Sequence, residues 1–354
     1  MTDQKQYRIF VSYVHNDDDQ KRMRLICKHL RELGMSPIVD SDLTPGQAFT
    51  AEIQHMIASS HLFLSLLTKN SAQSTWVHQE MGYAMAMHVP VLTLAFDDGD
   101  PGSSGMAREL HALSVSGDDM SVLTGPMLTH RIESAYDDSQ APCVCTQTVL
   151  QRTDRIQKYS REILSSFGAQ RIRQSASFSS FSLPDKYPSH PLFKQRNPNF
   201  GNNFCALARK ERRVLEEHAR EEGCSLLLDF YVPADGKSGA VLKHDPERLR
   251  PRLAILSEFL ESMPDEKVTV VICKGTLRSV LFTVGDMLLV EAPIPLGRKE
   301  YNHSVFSWHA PTVARRIKEF DDELMDRLND LDIAPDQSRQ WALGEIETLL
   351  KSID

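Results

Sequence analysis

The sequence predicts an α/β protein: a parallel sheet with helices on both faces, followed by a second, mixed α/β domain. Three observations predict it. Four short runs, "RIFVSYV", "SPIVD", "HLFLSLL" and "VPVLTLAF", alternate with segments of helical periodicity near the start of the chain. These runs are mostly apolar instead of alternating apolar and polar, which suits strands covered on both sides. The chain has 354 residues, too many for one ordinary core, so it should divide.

The elements follow in order. After "RIFVSYV", the stretch "HNDDDQ" offers Asn16 or Asp17 as an N-cap and acids for the positive end of a helix. Met23, Ile26, Cys27, Leu30 and Leu33 then mark one helical face, and Gly34 stops it. "SPIVD" is the second strand, and "SDLTPGQAF" a loop turning at Pro45-Gly46. Phe49, Ile53, Met56 and Ile57 mark the second helix, "HLFLSLL" is the third strand, "SAQSTWVHQEMGYA" opens the third helix, and "VPVLTLAF" is the fourth strand. "DDGDPGSSG" is a loop, and "ALSVSG" reads as a short fifth strand. Helical periodicity returns with Val149, Ile156, Tyr159 and Ile163 and ends near Gly168.

Residues 169–200 are rich in Ser and Pro and hold five Lys/Arg against one Asp, the composition of a basic linker. Beyond them come a charged helix stopped by Gly223, the strand "CSLLLDFYV", and a helix whose first turns Pro251 should disturb. The strand "KVTVVIC" and the hairpin "SVLFTVGDMLLVEAPI", turning at Gly285-Asp286, precede two closing helices. The expected boundaries are a first domain over 5–135, a helical extension over 136–168, the linker over 169–200 and a mixed α/β domain over 201–354.

The net charge of -8 argues against a surface built throughout to hold nucleic acid. Six scattered cysteines include one C-x-C, Cys143 and Cys145, with no second pair to complete a zinc site, so no metal is expected. The opening "MTDQKQYRIF" carries no apolar signal region, and no run reaches the ~18 apolar residues that span a bilayer. The expectation is a cytoplasmic protein with reduced thiols and no membrane partner.

Parallel sheets bind ligands beyond the carboxyl ends of their strands. Those ends lead into residues 12–16, 40–46 and 70–76, which should converge on one rim. Trp76 and Glu80, four residues apart, share one face of the helix that starts there. A Trp and a Glu at this spacing also suit a packed helix end, with Glu favoured by the dipole. Ser12 and Tyr13 line a pocket or simply pack; Asp40 and Asp42 meet a ligand or cap a turn. Ser71 and Ser74 touch a ligand or cap the third helix. His15 is expected to be a solvated loop residue, and His78 projects away from Glu80.

From residue 7 to about residue 135 the chain resembles a TIR domain of the bacterial, NAD-cleaving type. The segments that carry the resemblance are "RIFVSYVHNDDD", "DSDLTPGQAF", which is similar to the mobile BB loop of that family, and "STWVHQEMGYA", which is similar to its W-x-x-x-E pattern. The resemblance implies a flavodoxin-like sheet, Glu80 as the catalytic residue, and NAD+ as substrate with no separate cofactor. Trp76, Ser12, Tyr13, Asp40, Asp42 and Ser71 would hold that substrate. It also implies nicotinamide and ADP-ribose or a cyclic isomer as products, homo-oligomers formed through the BB loop and the C-terminal domain, and a role in anti-phage defence. Two alternatives stay open: a non-enzymatic scaffold that recruits other TIR domains, and a synthase making a nucleotide messenger for a separate effector.

The second domain faintly resembles one half of a phospholipase D-like fold. The H-x-K-x-x-x-x-D signature of that family is missing from "RSVLFTVGD". The resemblance therefore implies a catalytically dead module that binds a small-molecule or protein trigger, or supplies a dimer surface. His303 and His309 are six apart and have no third ligand beside them.

Overall fold

The computed structural model describes residues 7–40, 51–97, 112–117, 119–134, 143–146, 149–183, 200–233, 240–275, 277–278, 280–292 and 304–353. The chain divides into two compact units, one formed by Met1–Pro142 with Trp308–Thr312, the other by Cys143–Ser307 with Val313–Asp354.

The first unit runs β1 (Arg8–Ser12), α1 (Asp17–Glu32), β2 (Ser36–Val39), α2 (Ala51–Ala58), β3 (Leu62–Leu67), α3 (Thr75–Ala86), β4 (Val91–Phe96), β5 (Ala112–Val115) and α4 (Gly125–Ser134). Its five strands are all parallel, in the order β2-β1-β3-β4-β5. This is the flavodoxin-like order, whose switch point lies between β1 and β3.

The period-2 pleat sorts each strand between two cores. Ile9 and Val11 of β1 join Leu64 and Leu66 of β3 beneath Ile26 and Leu30 of α1 and Leu128 and Ile132 of α4. Phe10 and Phe63 point the other way and stack, with centroids 5.6 Å apart. They pack with Ile53 and Ile57 of α2 and Met81 and Ala84 of α3. Each such fully buried aliphatic side chain contributes about 1.5–3 kcal/mol, so both helix layers are firmly seated.

Asn16, not Asp17, caps α1: its Oδ1 accepts from the Asp19 N–H at 2.8 Å. Its short polar side chain and extended backbone suit the position.

The second unit runs β6 (Cys143–Thr146), α5 (Val149–Phe167), β7 (Ile172–Ala176), α6 (Phe200–Glu222), β8 (Cys224–Asp229), β9 (Tyr231–Pro233), β10 (Ala240–Leu242), α7 (Pro246–Glu261), β11 (Val268–Cys273), β12 (Val280–Val284), β13 (Leu288–Ala292), β14 (Ser304–Ser307), α8 (Ala310–Asp330) and α9 (Ser338–Ser352). Seven strands form one sheet in the order β11-β8-β7-β12-β13-β14-β6, while β9 and β10 make a separate hairpin. Strands β7, β8 and β11 are parallel, and the other four pair antiparallel. Leu227, Val271, Leu281 and Leu289 meet Val313, Phe320, Leu324 and Leu328 of α8 on one face of the sheet.

The structure corrects two of the expected boundaries. Residues 172–176, placed in the linker, are β7, which lies inside the second sheet between β8 and β12. The Ser-rich composition misled because this strand's polar residues are satisfied in place. Gln174 Oε1 accepts from the Ser180 N–H at 2.8 Å, Ser175 Oγ accepts from the Leu281 N–H at 3.1 Å, and Arg173 forms a two-pronged pair with Asp321. Residues 143–146 and 149–167, read as an extension of the first domain, belong to the second unit as edge strand and helix. Buried within that unit, His218 of α6 bonds the Ser160 carbonyl of α5 through Nε2 at 2.9 Å. The rest of the expected linker, 184–199, lies outside the described residues. Helix α7 also runs unbroken through Pro251.

Two glycines at positive φ separate backbone strain from collision. A Cβ at Gly34 (φ +76) would meet nothing within 4 Å, whereas one at Gly223 (φ +85) would lie 2.4 Å from the Lys267 carbonyl oxygen. Gly34→Ala is therefore expected to cost only the left-handed penalty of about 1–2 kcal/mol, and Gly223→Ala roughly 2–4 kcal/mol because backbone must also move. Denaturant unfolding of the two variants checks the ranking.

Candidate active site

Ser12 ends β1, and its neighbour in the sheet is β3, whose chain leads through residues 68–74 into α3. The switch point thus delivers the last side chain of one strand against the first turns of the helix that follows the other. Ser74 caps α3, its Oγ accepting from the Val77 N–H at 3.4 Å. That fixes the rotation of the helix, so Trp76 and Glu80 face back toward the sheet end.

Glu80 is 1 % exposed. The Ser12 hydroxyl donates to its Oε2 at 2.5 Å, and the Trp76 indole N–H also donates to this carboxyl group. Among the described residues, Oε1 accepts no hydrogen bond. Burial pushes the Glu80 pKa up to about 8; the Ser12 hydrogen bond opposes this, the charge of Asp40 adds to it, and the Trp76 bond opposes it. Desolvation prevails, so the site is a buried acid with one oxygen held and one unclaimed.

Asp40, just beyond β2, is buried, and His15 Nε2 stands 3.9 Å from its Oδ2. The rings of His15 and Tyr13 stack at 4.8 Å. Burial, followed by Asp40, raises the Tyr13 hydroxyl, and Glu80 adds to the effect. Ser12, Tyr13, Asp40, Trp76 and Glu80 are therefore brought together. His15, expected to be solvated, is half-buried in the same group; a loop histidine flanked by an aromatic and facing an acid was the only signal available. Asp42 lies outside the described residues, as do Pro45 and Gly46.

Ser71 takes a different place. It is buried in the β3–α3 connection, where its Oγ accepts from the Thr68 N–H at 2.6 Å. Thr68 Oγ1 in turn donates to Asp19 Oδ2 at 3.1 Å, and Asn16 Nδ2 donates to the same oxygen at 2.9 Å. Asp19 also stands 3.5 Å from Arg22, whose guanidinium lies over Phe96 at 4.7 Å. This clamp ties the end of β3 to the start of α1, and sequence reading missed Asp19 and Thr68 as its centre. The spacing Asn16-x-x-Asp19, a capping pattern, was the available sign. Among the described residues no group of three His, Cys, Asp or Glu is placed to hold a metal.

Residues 9–124 match the family model described as TIR domain. Residues 9–124 are a TIR domain. Among solved structures, the chain is similar to the TIR domains of the activated Roq1 resistosome, which recognises the pathogen effector XopQ, with TM-score 0.24 and 20 % identity over 36 % of this chain and 80 % of that one. It is also similar to the Clostridium botulinum CMP N-glycosidase BcmB, with TM-score 0.25 and 19 % identity over 36 % of this chain and 99 % of that one. A third match is TrmBL2, an archaeal chromatin protein, with TM-score 0.28 and 12 % identity over 56 % of this chain and 57 % of that one. Overlaps this loose carry nothing about substrate. No curated protein matches the chain. No helix of the described residues is long and apolar enough to cross a membrane.

The raised pKa of Glu80 in this TIR domain sets a stability test. Between its ordinary value of 4.5 and about 8, the folded state holds a proton that the unfolded state has released. The stabilisation linked to that proton is complete below about 4.5 and is lost as pH rises through about 8. Glu80→Gln, which does not titrate, should gain stability relative to the parent over that window, by on the order of a few kcal/mol. Thermal melting of both proteins at pH 5 and pH 8.5 checks it.

Proposed function

We propose that the TIR domain is an NAD+ nucleosidase that cleaves the bond between nicotinamide and ribose. The observation that carries this reading is the Glu80 carboxyl group, buried, held on one oxygen by Ser12 and unclaimed on the other. A scaffold has no chemical use for such a group, because burying a carboxyl without a full set of partners costs stability.

NAD+ carries its leaving group as a cationic pyridinium, so departure needs no strong acid. What accelerates it is a carboxylate that binds a ribose hydroxyl and stabilises the developing oxocarbenium charge. Glu80 Oε1 would accept the hydroxyl, while Ser12 and Trp76 fix the plane of the carboxylate. Tyr13, Asp40 and Trp76 would line the ribose and leaving-group pocket. Ser71 supports the helix start and does not reach the reacting atoms in this scheme. Water then yields ADP-ribose, and its exclusion favours a cyclic isomer.

TIR domains act as enzymes or as scaffolds, and both uses involve self-association. We propose that assembly of this chain, through the BB loop and the second unit, raises its activity, with the second unit receiving a small-molecule or protein trigger. A role in anti-phage defence follows from the resemblance alone.

The test is NAD+ consumption by the purified chain over a range of protein concentrations, with products separated by chromatography. Specific activity should rise with concentration, and Glu80→Gln should lower kcat by about 10²–10³-fold or more. An active, demonstrably monomeric protein would overturn the assembly requirement. Unchanged turnover in the variant would overturn the role of Glu80, and NAD+-independent recruitment of other TIR domains would favour the scaffold.

The pH profile gives a second check. Glu80 must be ionised to stabilise a cation, so kcat/KM of the free enzyme should rise with pH and level off above about 8. The kcat limb should lie lower, because the bound pyridinium favours the carboxylate. Ser12→Ala removes a bond that holds the pKa down, so the kcat/KM limb should move upward.

A further inference from the structure

The C-x-C of the sequence lies on β6, the edge strand of the second sheet, whose neighbour in the strand order is β14. Cys143 pairs with Ser307 and Cys145 with Val305, so both cysteine side chains share one face of the pleat. The opposite face is the covered one. Val144 pairs there with buried Phe306, whose ring meets Tyr159 of α5 with centroids 6.0 Å apart. Thr146, on the same covered face, is buried, and its hydroxyl donates to the Ser304 carbonyl at 3.5 Å. The strand is thus fixed by its inner residues and holds Cys143 and Cys145 outward, both exposed. The two thiols are hydrogen-bonded to each other.

This pair differs from the other cysteines. Cys27, Cys224 and Cys273 are buried, and burial pushes their thiols up to about 11, 12 and 11. Cys205 is half-buried. Strand geometry then decides what the exposed pair can do. Residues two apart on an antiparallel strand are separated by about 6.8 Å. Their Cβ atoms, standing side by side on one face, lie about as far apart, whereas a disulfide needs about 3.5–4.5 Å. Closing that bond would pull β6 out of its pairing with β14. An ion held in line between the two sulfurs asks for less. A metal–thiolate bond is about 2.3 Å, as in zinc sites, so the sulfurs would stand about 4.6 Å apart. Thiols already in contact reach that spacing by side-chain rotation, with the backbone unmoved. Among the described residues no third His, Cys, Asp or Glu completes a cluster with them. A structural zinc ion needs four ligands, whereas a soft monovalent ion is satisfied by two thiolates.

We propose that Cys143 and Cys145 form a two-coordinate binding site for a soft monovalent metal ion of the copper(I) class. Thiolate is the ligand type that selects such an ion. One ion enters, both thiols give up their protons, and two metal–sulfur bonds form with no change of oxidation state. Desolvation of the sulfur raises the Cys143 thiol, and Cys145 raises it further by its charge and its hydrogen bond. Near neutral pH that proton therefore leaves as the ion arrives and not before. The site lies in the second unit and does not depend on the reading of Glu80.

Anaerobic titration of the full, reduced chain with copper(I) presented by the coloured chelator bicinchoninate tests the proposal. The chain should draw one ion from the chelator and release two protons, and X-ray absorption should show two sulfur neighbours. Cys143→Ser and Cys145→Ser should each weaken binding about a hundredfold or more, since a lost ligand costs more than a lost supporting contact. Neither variant should lower the melting temperature of the metal-free protein, and Cys205→Ser should leave binding unchanged. The proposal fails if the chelator keeps the copper at equal concentration, or if both serine variants bind as the parent does. Three or four sulfur neighbours, or one ion per two chains, would overturn the two-ligand site. So would a Cys143–Cys145 disulfide that forms in air and resists glutathione, since that would mark a structural bond that the strand geometry forbids.

Discussion

Keeping a carboxyl group beneath the end of a parallel sheet is the constraint around which the first unit is arranged. Removing an ionised carboxylate from water costs several kcal/mol even after the protein relaxes. Glu80 bears this cost in part by holding its proton up to about pH 8 and in part through the Ser12 bond. That bond spans two elements, so it exists only while β1, β3 and α3 keep their register. Phe10 stacked on Phe63, with Met81 and Ala84 of α3 packed against them, supplies that register from below. The Asp19–Thr68–Ser71 clamp supplies it from the loop side. A shift of α3 by one residue would rotate Glu80 by about 100° and break the contact. The site and the core are therefore one construction, with packing on one face of the sheet holding a polar bond at its edge.

This coupling explains why the first unit was legible in the sequence. Its strands read as mostly apolar runs separated by helical periodicity, so the parallel sheet followed from pattern, while the flavodoxin-like strand order was implied by the TIR resemblance. Trp76 and Glu80 could be paired because helix geometry fixes a spacing of four. The clamp was not legible, because Asp19 and Thr68 are distant in sequence and each suits a helix start or a strand end without the other. His15 was misread for a related reason, since its burial comes from Asp40 and Tyr13 and not from its own loop.

The second unit hid itself where polar residues do the work of apolar ones. Strand β7 reads "IRQSA", with only Ile172 and Ala176 apolar, yet it sits inside a seven-stranded sheet because Gln174, Ser175 and Arg173 find partners in the connection to Ser180, in β12 and in α8. Composition counted those residues as linker. A hydrogen-bonded network costs little when complete, and nothing in a local window shows that it is complete. The same segment shows why a boundary drawn from Ser and Pro content started the second domain at 201, nearly sixty residues after Cys143.

Two buried titratable groups, one in each unit, share a physical logic with opposite signs. Glu80 is an acid kept protonated chiefly by burial, with Asp40 adding repulsion. His244 is a base kept deprotonated by burial, with three cations adding repulsion. Each group is held in its neutral form with an atom left without a hydrogen bond among the described residues. In the proposed reaction the pyridinium-bearing nucleotide would restore the charge of Glu80. Packed interiors tend to remove such tension, because a neutral isostere is cheaper than a strained titratable group. Its persistence at two strand-end clusters, each carried on rigid secondary structure, is what distinguishes them from the satisfied polar contacts elsewhere in the fold, such as buried His218 with both ring nitrogens engaged.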